Sequence, residues 1–153
     1  MGKSLLVFDF DGVLAIPWTN PERHYDQIPD AIKKIFESGD YVLAVASYNP
    51  LAHAAIVRWG LENYFSCIRC GANHSWHTDG THYSEDYRVG MSKHRQIGSM
   101  IENEINELAV GLDGVFFFDD DPDNIRLVNE HLPVVKTTLV SPDSGFTLDL
   151  LPI

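Results

Sequence analysis

Apolar and polar positions along this chain fall into two alternating patterns. Short unbroken apolar runs occupy 5–8, 41–46 and 115–118, with weaker ones at 65–70 and 133–140. A run that is apolar on both parities predicts a strand buried on both faces, as in parallel sheets. Between the runs the period lengthens. Ile28, Ile32, Ile35 and Phe36 form one apolar face, with Pro29 placed to open a helix and Gly39 to end it. The segment 50–59, from Pro50 to a stop at Gly60, predicts a second helix. Ile97, Met100, Ile101, Ile105 and Leu108 predict a third helix beginning at Lys93, and 122–130 fits a fourth. Strands and helices that alternate in this way predict an α/β fold: a Rossmann-like parallel sheet of about five strands with helices on both faces, hence three layers.

Two segments break the rhythm. Residues 15–27 carry Pro17, Trp18 and Pro21 and read as a loop or short flap. Residues 71–92 hold Trp76, several His and few aliphatics, without a clean period, and read as an insertion, with a hairpin as one form. The tail 143–153 predicts only a weak element. At 153 residues and 44% hydrophobic content, one domain over 1–153 is expected. No apolar run approaches the roughly 20 residues that cross a bilayer. No secretory signal pattern is present, so a cytoplasmic location is expected. The 22 acids against 11 bases give a net charge of −11, which disfavours general binding to nucleic acid or anionic membrane. Two cysteines make no disulfide framework.

The charge is not spread evenly. The first apolar run ends in Asp9-Phe10-Asp11-Gly12, the second in Ser47-Tyr48-Asn49, and the fourth in Asp119-Asp120-Asp121, while Lys93 opens a helix. In open α/β sheets the chemistry lies just beyond the carboxyl ends of strands. Carboxylates suit a hard cation such as Mg²⁺, which also keeps water and phosphate oxygens as ligands. A Ser hydroxyl and a Lys ammonium suit phosphoryl oxygens. The set fits phosphoryl transfer better than acyl transfer. Ser47 has a competing reading as a helix cap, Lys3 and Arg95 compete with Lys93, and Asp121 and Asp123 read as helix-start charges.

Taken in order, these segments resemble the haloacid dehalogenase superfamily of phosphohydrolases. Asp9-Phe10-Asp11-Gly12-Val13 resembles its first motif, Ser47 its second, Lys93 its third and Phe117-Phe118-Asp119-Asp120 its fourth. The likeness is greatest to small members without a large cap, such as the eukaryotic magnesium-dependent phosphatases. It implies a phosphomonoesterase with Asp9 as nucleophile and Asp11 as general acid and base. It implies Mg²⁺ held by Asp9, the backbone carbonyl of Asp11, and Asp119, with Asp120 in support. Ser47, Lys93 and the backbone around Phe10, Tyr48 and Asn49 would bind the phosphoryl group. The substrate would be a phosphorylated small molecule, a phosphoprotein or a nucleic-acid end, with the oligomeric state open. A phosphate-binding or receiver-like signalling domain and a metal-dependent nuclease or nucleic-acid-end processing enzyme are the alternatives.

The short segments 15–27 and 71–92 are too small for a cap with its own core, so an open site is expected. Trp18, Tyr25, His74, Trp76, His77 and Tyr83 either form its rim or pack the two loops. Cys67, Cys70, His74 and His77, with His82 in reserve, also allow a zinc reading. Against it, Cys67 and Cys70 fall on a predicted strand and would point to opposite faces.

Overall fold

A computed structural model describes residues 3–71, 74–77, 82–83, 92–104 and 110–152. In chain order the elements are β1 (Lys3–Phe8), β2 (Ala15–Ile16), β3 (Arg23–His24), α1 (Ile28–Ser38), β4 (Tyr41–Ser47), α2 (Ala52–Arg58), β5 (Cys67–Cys70), β6 (His74–His77), β7 (His82–Tyr83), α3 (Lys93–Glu104), β8 (Val110–Asp119), α4 (Pro122–His131) and β9 (Lys136–Leu139). Short 3-10 turns lie at Glu62–Tyr64 and Leu148–Leu150.

One sheet runs β7-β6-β5-β4-β1-β8-β9. Its five strands β5, β4, β1, β8 and β9 are parallel, as the apolar runs predicted. The segment after β5 departs from the simplest expectation. Strands β6 and β7 pair antiparallel and extend the β5 edge, so the sheet is mixed and has seven strands. Pairing of exposed backbone at a sheet edge needs no hydrophobic period, so the pattern gave little sign of it.

Side chains alternate across the sheet and fill two cores. Leu6, Phe8, Leu43 and Val45 face α1 and α2, where they meet Ile28, Ile32, Ala55 and Ile56. Leu5, Val7, Val42 and Ala44 face α3 and α4, where they meet Ile97, Met100 and Val128. Each large aliphatic withdrawn from water in this way stabilises the fold by about 1.5–3 kcal/mol. Helix α1 shows the local logic. Pro29 sits in its first turn with Asp30. Gly39 takes a left-handed φ of 76° and its N–H donates to the Phe36 carbonyl. Its buried face is Ile28, Ala31, Ile32 and Ile35; Phe36, expected there, is 47% exposed and meets Tyr64 edge-on. Ile105 and Leu108 lie outside the described residues.

Residues 15–27 include a two-stranded hairpin, β2 against β3. No larger cap is present among the described residues. β1 lies mid-way in the parallel set, with Phe8 in register with Val45 on one side and Phe118 on the other. The carboxyl ends of β1, β4 and β8 therefore open on one stretch of the sheet edge.

Candidate active site

Asp9 follows the last residue of β1, and its N–H donates to the Phe118 carbonyl at 2.9 Å. Ser47 ends β4, Asp119 ends β8, and Lys93 is the first residue of α3. All four are buried. The Lys93 ammonium donates to Asp9 Oδ1 at 2.5 Å and to the Ala46 carbonyl at 2.7 Å, and lies 3.4 Å from Asp119 Oδ2. Two hydrogen bonds and a second ion pair hold the cation. Without them its burial would cost several kcal/mol. Lys3 and Arg95, the competing bases, are exposed.

Asp9, Asp119 and Asp120 each offer an oxygen within 4.8 Å of the others. Asp119 is held from both sides: Oδ1 accepts the Asp121 N–H at 2.9 Å and Oδ2 accepts the Asn124 amide at 3.1 Å. Asp120 comes close because Gly12 has no side chain. A Cβ there would meet Asp120 Oδ2 at 2.2 Å, and Gly12 takes a left-handed φ of 81°. Asp121 caps α4 by accepting from the Asp123 N–H at 2.9 Å, the helix-start role its position suggested.

Burial, and after it the Asp119 carboxylate, drives Asp9 well above the usual carboxylate range, although Lys93 pulls the other way. Burial alone would lower Lys93, but Asp9 and Asp119 outweigh it and hold the ammonium above its ordinary value. Burial also raises Asp120, again helped by Asp119. One buried ammonium thus pairs with two of three clustered carboxyl groups, which leaves an excess of hard oxygen donors.

The remaining expected residues divide. Ser47 Oγ accepts the Asn49 N–H at 3.0 Å, a turn bond; it does not cap α2, whose N-cap is Leu51. The Asp11 carboxylate lies outside the acidic trio and accepts from the Asn49 amide at 3.3 Å; burial raises it despite that bond. The Phe10 ring is in the core, stacked on Trp59, so only its backbone can reach the cleft. Tyr48 contributes by its side chain. Its hydroxyl accepts the Lys93 N–H at 3.0 Å and donates to Asn124 Oδ1 at 3.4 Å, while its ring covers the ammonium at 5.0 Å. A cleft of about 360 Å³ lies above these groups, bounded by Pro17, Trp18 and Pro142.

Of the expected rim, Trp18 is exposed, whereas Tyr25 is buried and bonds the Pro142 carbonyl. The side chains of His74, Trp76, His77, His82 and Tyr83 lie outside the described residues. Cys67 packs on the α3–α4 side of the sheet and Cys70 on the α1–α2 side, so the two thiols do not face one ion. Asn124 and Gln96 carried no expected role. Gln96 donates to the Ser47 carbonyl at 3.0 Å, and both side chains are buried amides on the first turns of helices. A polar residue on the inner face of an amphipathic helix was the signal available.

Compared with solved structures, the chain aligns over 97% of its length with the N-terminal part of a Bacteroides fragilis protein containing a phosphatase domain complexed with Mg, at 21% identity and a TM-score of 0.63. It spans 39% of that chain. It also aligns over 92% of its length with a haloacid dehalogenase subclass IIB sugar phosphatase, at 8% identity and a TM-score of 0.56, covering 95% of that chain. The chain has the haloacid dehalogenase fold. A Clostridium difficile protein described as a phosphatase aligns over 92% of the present chain and 96% of its own, at 12% identity and a TM-score of 0.60. No family model matches the sequence, and no curated protein matches it.

Proposed function

We propose that this chain hydrolyses phosphomonoesters with Mg²⁺ through a phosphorylated Asp9. The observation that carries the reading is the acidic trio of Asp9, Asp119 and Asp120 beside the buried Lys93 ammonium, below an open cleft. The donor set fits the ion: hard carboxylate oxygens, crowded enough that burial and mutual repulsion push Asp9 and Asp120 upward. Asp9, Asp119 and Asp120 would hold Mg²⁺, with the Asp11 carbonyl as the family resemblance implies. The Mg complex of the Bacteroides fragilis phosphatase domain supports the choice of ion. Bound there, Mg²⁺ would offset repulsion between the carboxylate nucleophile and the phosphate.

The chain's own residues supply the rest. Lys93 holds Oδ1 of Asp9, which leaves Oδ2 to attack phosphorus as the bond to the leaving oxygen breaks. Asp11, kept partly out of water, gives its proton to that oxygen. As a carboxylate it then takes a proton from the water that attacks the aspartyl-phosphate, which releases phosphate and restores Asp9. Ser47 Oγ and the backbone amides of Phe10 and Tyr48 bind the phosphoryl oxygens. Asn49 positions Asp11. A carboxylate is a modest nucleophile, so alignment and charge neutralisation carry most of the acceleration.

Phosphate release from a panel of phosphomonoesters, with Mg²⁺ and with EDTA, tests the reading. Turnover is expected only with the metal. Asp9→Asn is expected to lower it by at least about a thousandfold with the far-UV circular dichroism unchanged. Turnover that survives EDTA, or full activity in Asp9→Asn, would overturn the proposal.

A further inference from the structure

We infer that Trp18 is the platform on which the substrate's leaving group stacks, and that this group is a flat, uncharged ring. The inference rests on the phosphomonoesterase reading and narrows its substrate class. Trp18 lies between β2 and β3, next to the cleft. Its side chain is fully exposed, and it is the one non-glycine residue with positive φ, 64°, among the described residues. A large indole left in water and a backbone in the left-handed region are each unfavourable. Their coincidence beside a reactive centre points to use.

The hairpin presents the ring firmly. Thr19 Oγ1 donates to the Ile16 carbonyl at 2.8 Å and accepts the Arg23 N–H at 2.9 Å. Arg58 and Trp59 both donate to the Glu22 carbonyl, at 2.9 and 3.1 Å, and tie the hairpin to the body of the fold. Trp18 borders the cleft over Asp9 and also a second cleft of about 370 Å³ that adjoins it. Asp11, Asn49 and Pro17 border both as well. An ester oxygen protonated by Asp11 would therefore leave with its carbon body directed into the second cleft.

The lining of that cleft selects chemistry. It carries two acids, Asp11 and Glu22, and no base, so a second phosphate on the leaving group would be repelled. Pro17 and the exposed Leu51 add apolar surface beside the indole. A cation held by aromatic rings would be best served by several of them, and this lining has one. A flat ring with an apolar face matches the indole, as bases match aromatic platforms elsewhere.

Calorimetric titration of the intact chain with Mg²⁺ and unreactive phosphonates tests this apart from turnover. Benzylphosphonate is expected to bind about tenfold more tightly than ethylphosphonate. Trp18→Ala should abolish that advantage, and Trp18→Phe should keep most of it. In turnover, the ratio of kcat/KM for benzyl phosphate over ethyl phosphate, whose leaving groups are similar in basicity, should fall in Trp18→Ala by about the same factor, chiefly through KM. No preference for the benzyl compound, no binding of either phosphonate, or a preference that survives Trp18→Ala would overturn the inference. So would phosphocholine binding more tightly than benzylphosphonate and weakening more in Trp18→Ala. If the phosphonates bind as expected but no phosphomonoester is turned over, the phosphomonoesterase reading fails and the platform stands.

Discussion

The floor and the rim of the cleft are built on opposite terms. The floor consists of buried side chains at the ends of strands and at the head of α3, and its charged groups are held by one another and by nearby amides. Lys93 has two hydrogen-bond acceptors and a second carboxylate beside it, and Asp119 accepts at both oxygens. The rim includes Trp18 and Pro142, both exposed and on loops. In the floor, a charge taken out of water is tolerable only because a counter-charge sits beside it, so geometry and stability are coupled. At the rim, side chains contribute little to folding, which leaves them available for recognition. In the activity proposed above, the strand ends carry the chemistry and the hairpin selects the leaving group.

The largest expected effect breaks the floor. Lys93→Met leaves Asp9 and Asp119 buried without their cation, and should destabilise the protein by about 3–5 kcal/mol. Added Mg²⁺ should then raise the melting temperature more in the variant than in the parent. Thermal melts with and without the ion check both points; a variant as stable as the parent would deny that the floor depends on this charge. The next effect is narrower. Asn124→Ala removes one support of Asp119 and should weaken Mg²⁺ binding by about 10- to 100-fold, as read by calorimetry. Equal Mg²⁺ affinity in both proteins would mean that Asn124 is packing alone.

The smallest effect lies where floor and rim meet. Burial raises Asp11, and the Asn49 hydrogen bond partly counters it by favouring the charged form. Asn49→Ala should therefore raise Asp11 further. If Asp11 is the acid of the first step, activity falls as pH rises through its pKa, so the descending limb of the kcat profile should move to higher pH. A limb that stays in place, or moves down, would separate Asp11 from that step.

Much of this was legible along the chain. The apolar runs located β1, β4, β5 and β8, because burial on both faces admits few polar residues, and the weaker run at 133–140 overlaps the edge strand β9, whose Lys136 and Leu139 are exposed. Pro29 and Gly39 marked α1 within a residue at each end, because their backbones suit those positions and few others. The acids, the Ser and the Lys stood at strand and helix ends, where open α/β sheets put their sites. Other features had no linear signature. Phe36 fits the period of α1 yet lies outside its buried face, since the period does not specify how closely each position approaches the sheet. Strand β6 joins the sheet through backbone pairing that side-chain pattern does not encode.

The sequence alone determined which residue types were available and at which ends of which elements they would stand, because periodicity and turn chemistry are local. Tertiary structure decided which of them meet. Lys93 reaches Asp9 across 84 positions, and Asn49 reaches Asp11 across 38. It also decided that Gly12 makes room for Asp120 and that Trp18 faces water. Contacts of that kind follow from the order and register of strands in the sheet, which are fixed by the packing of the whole chain.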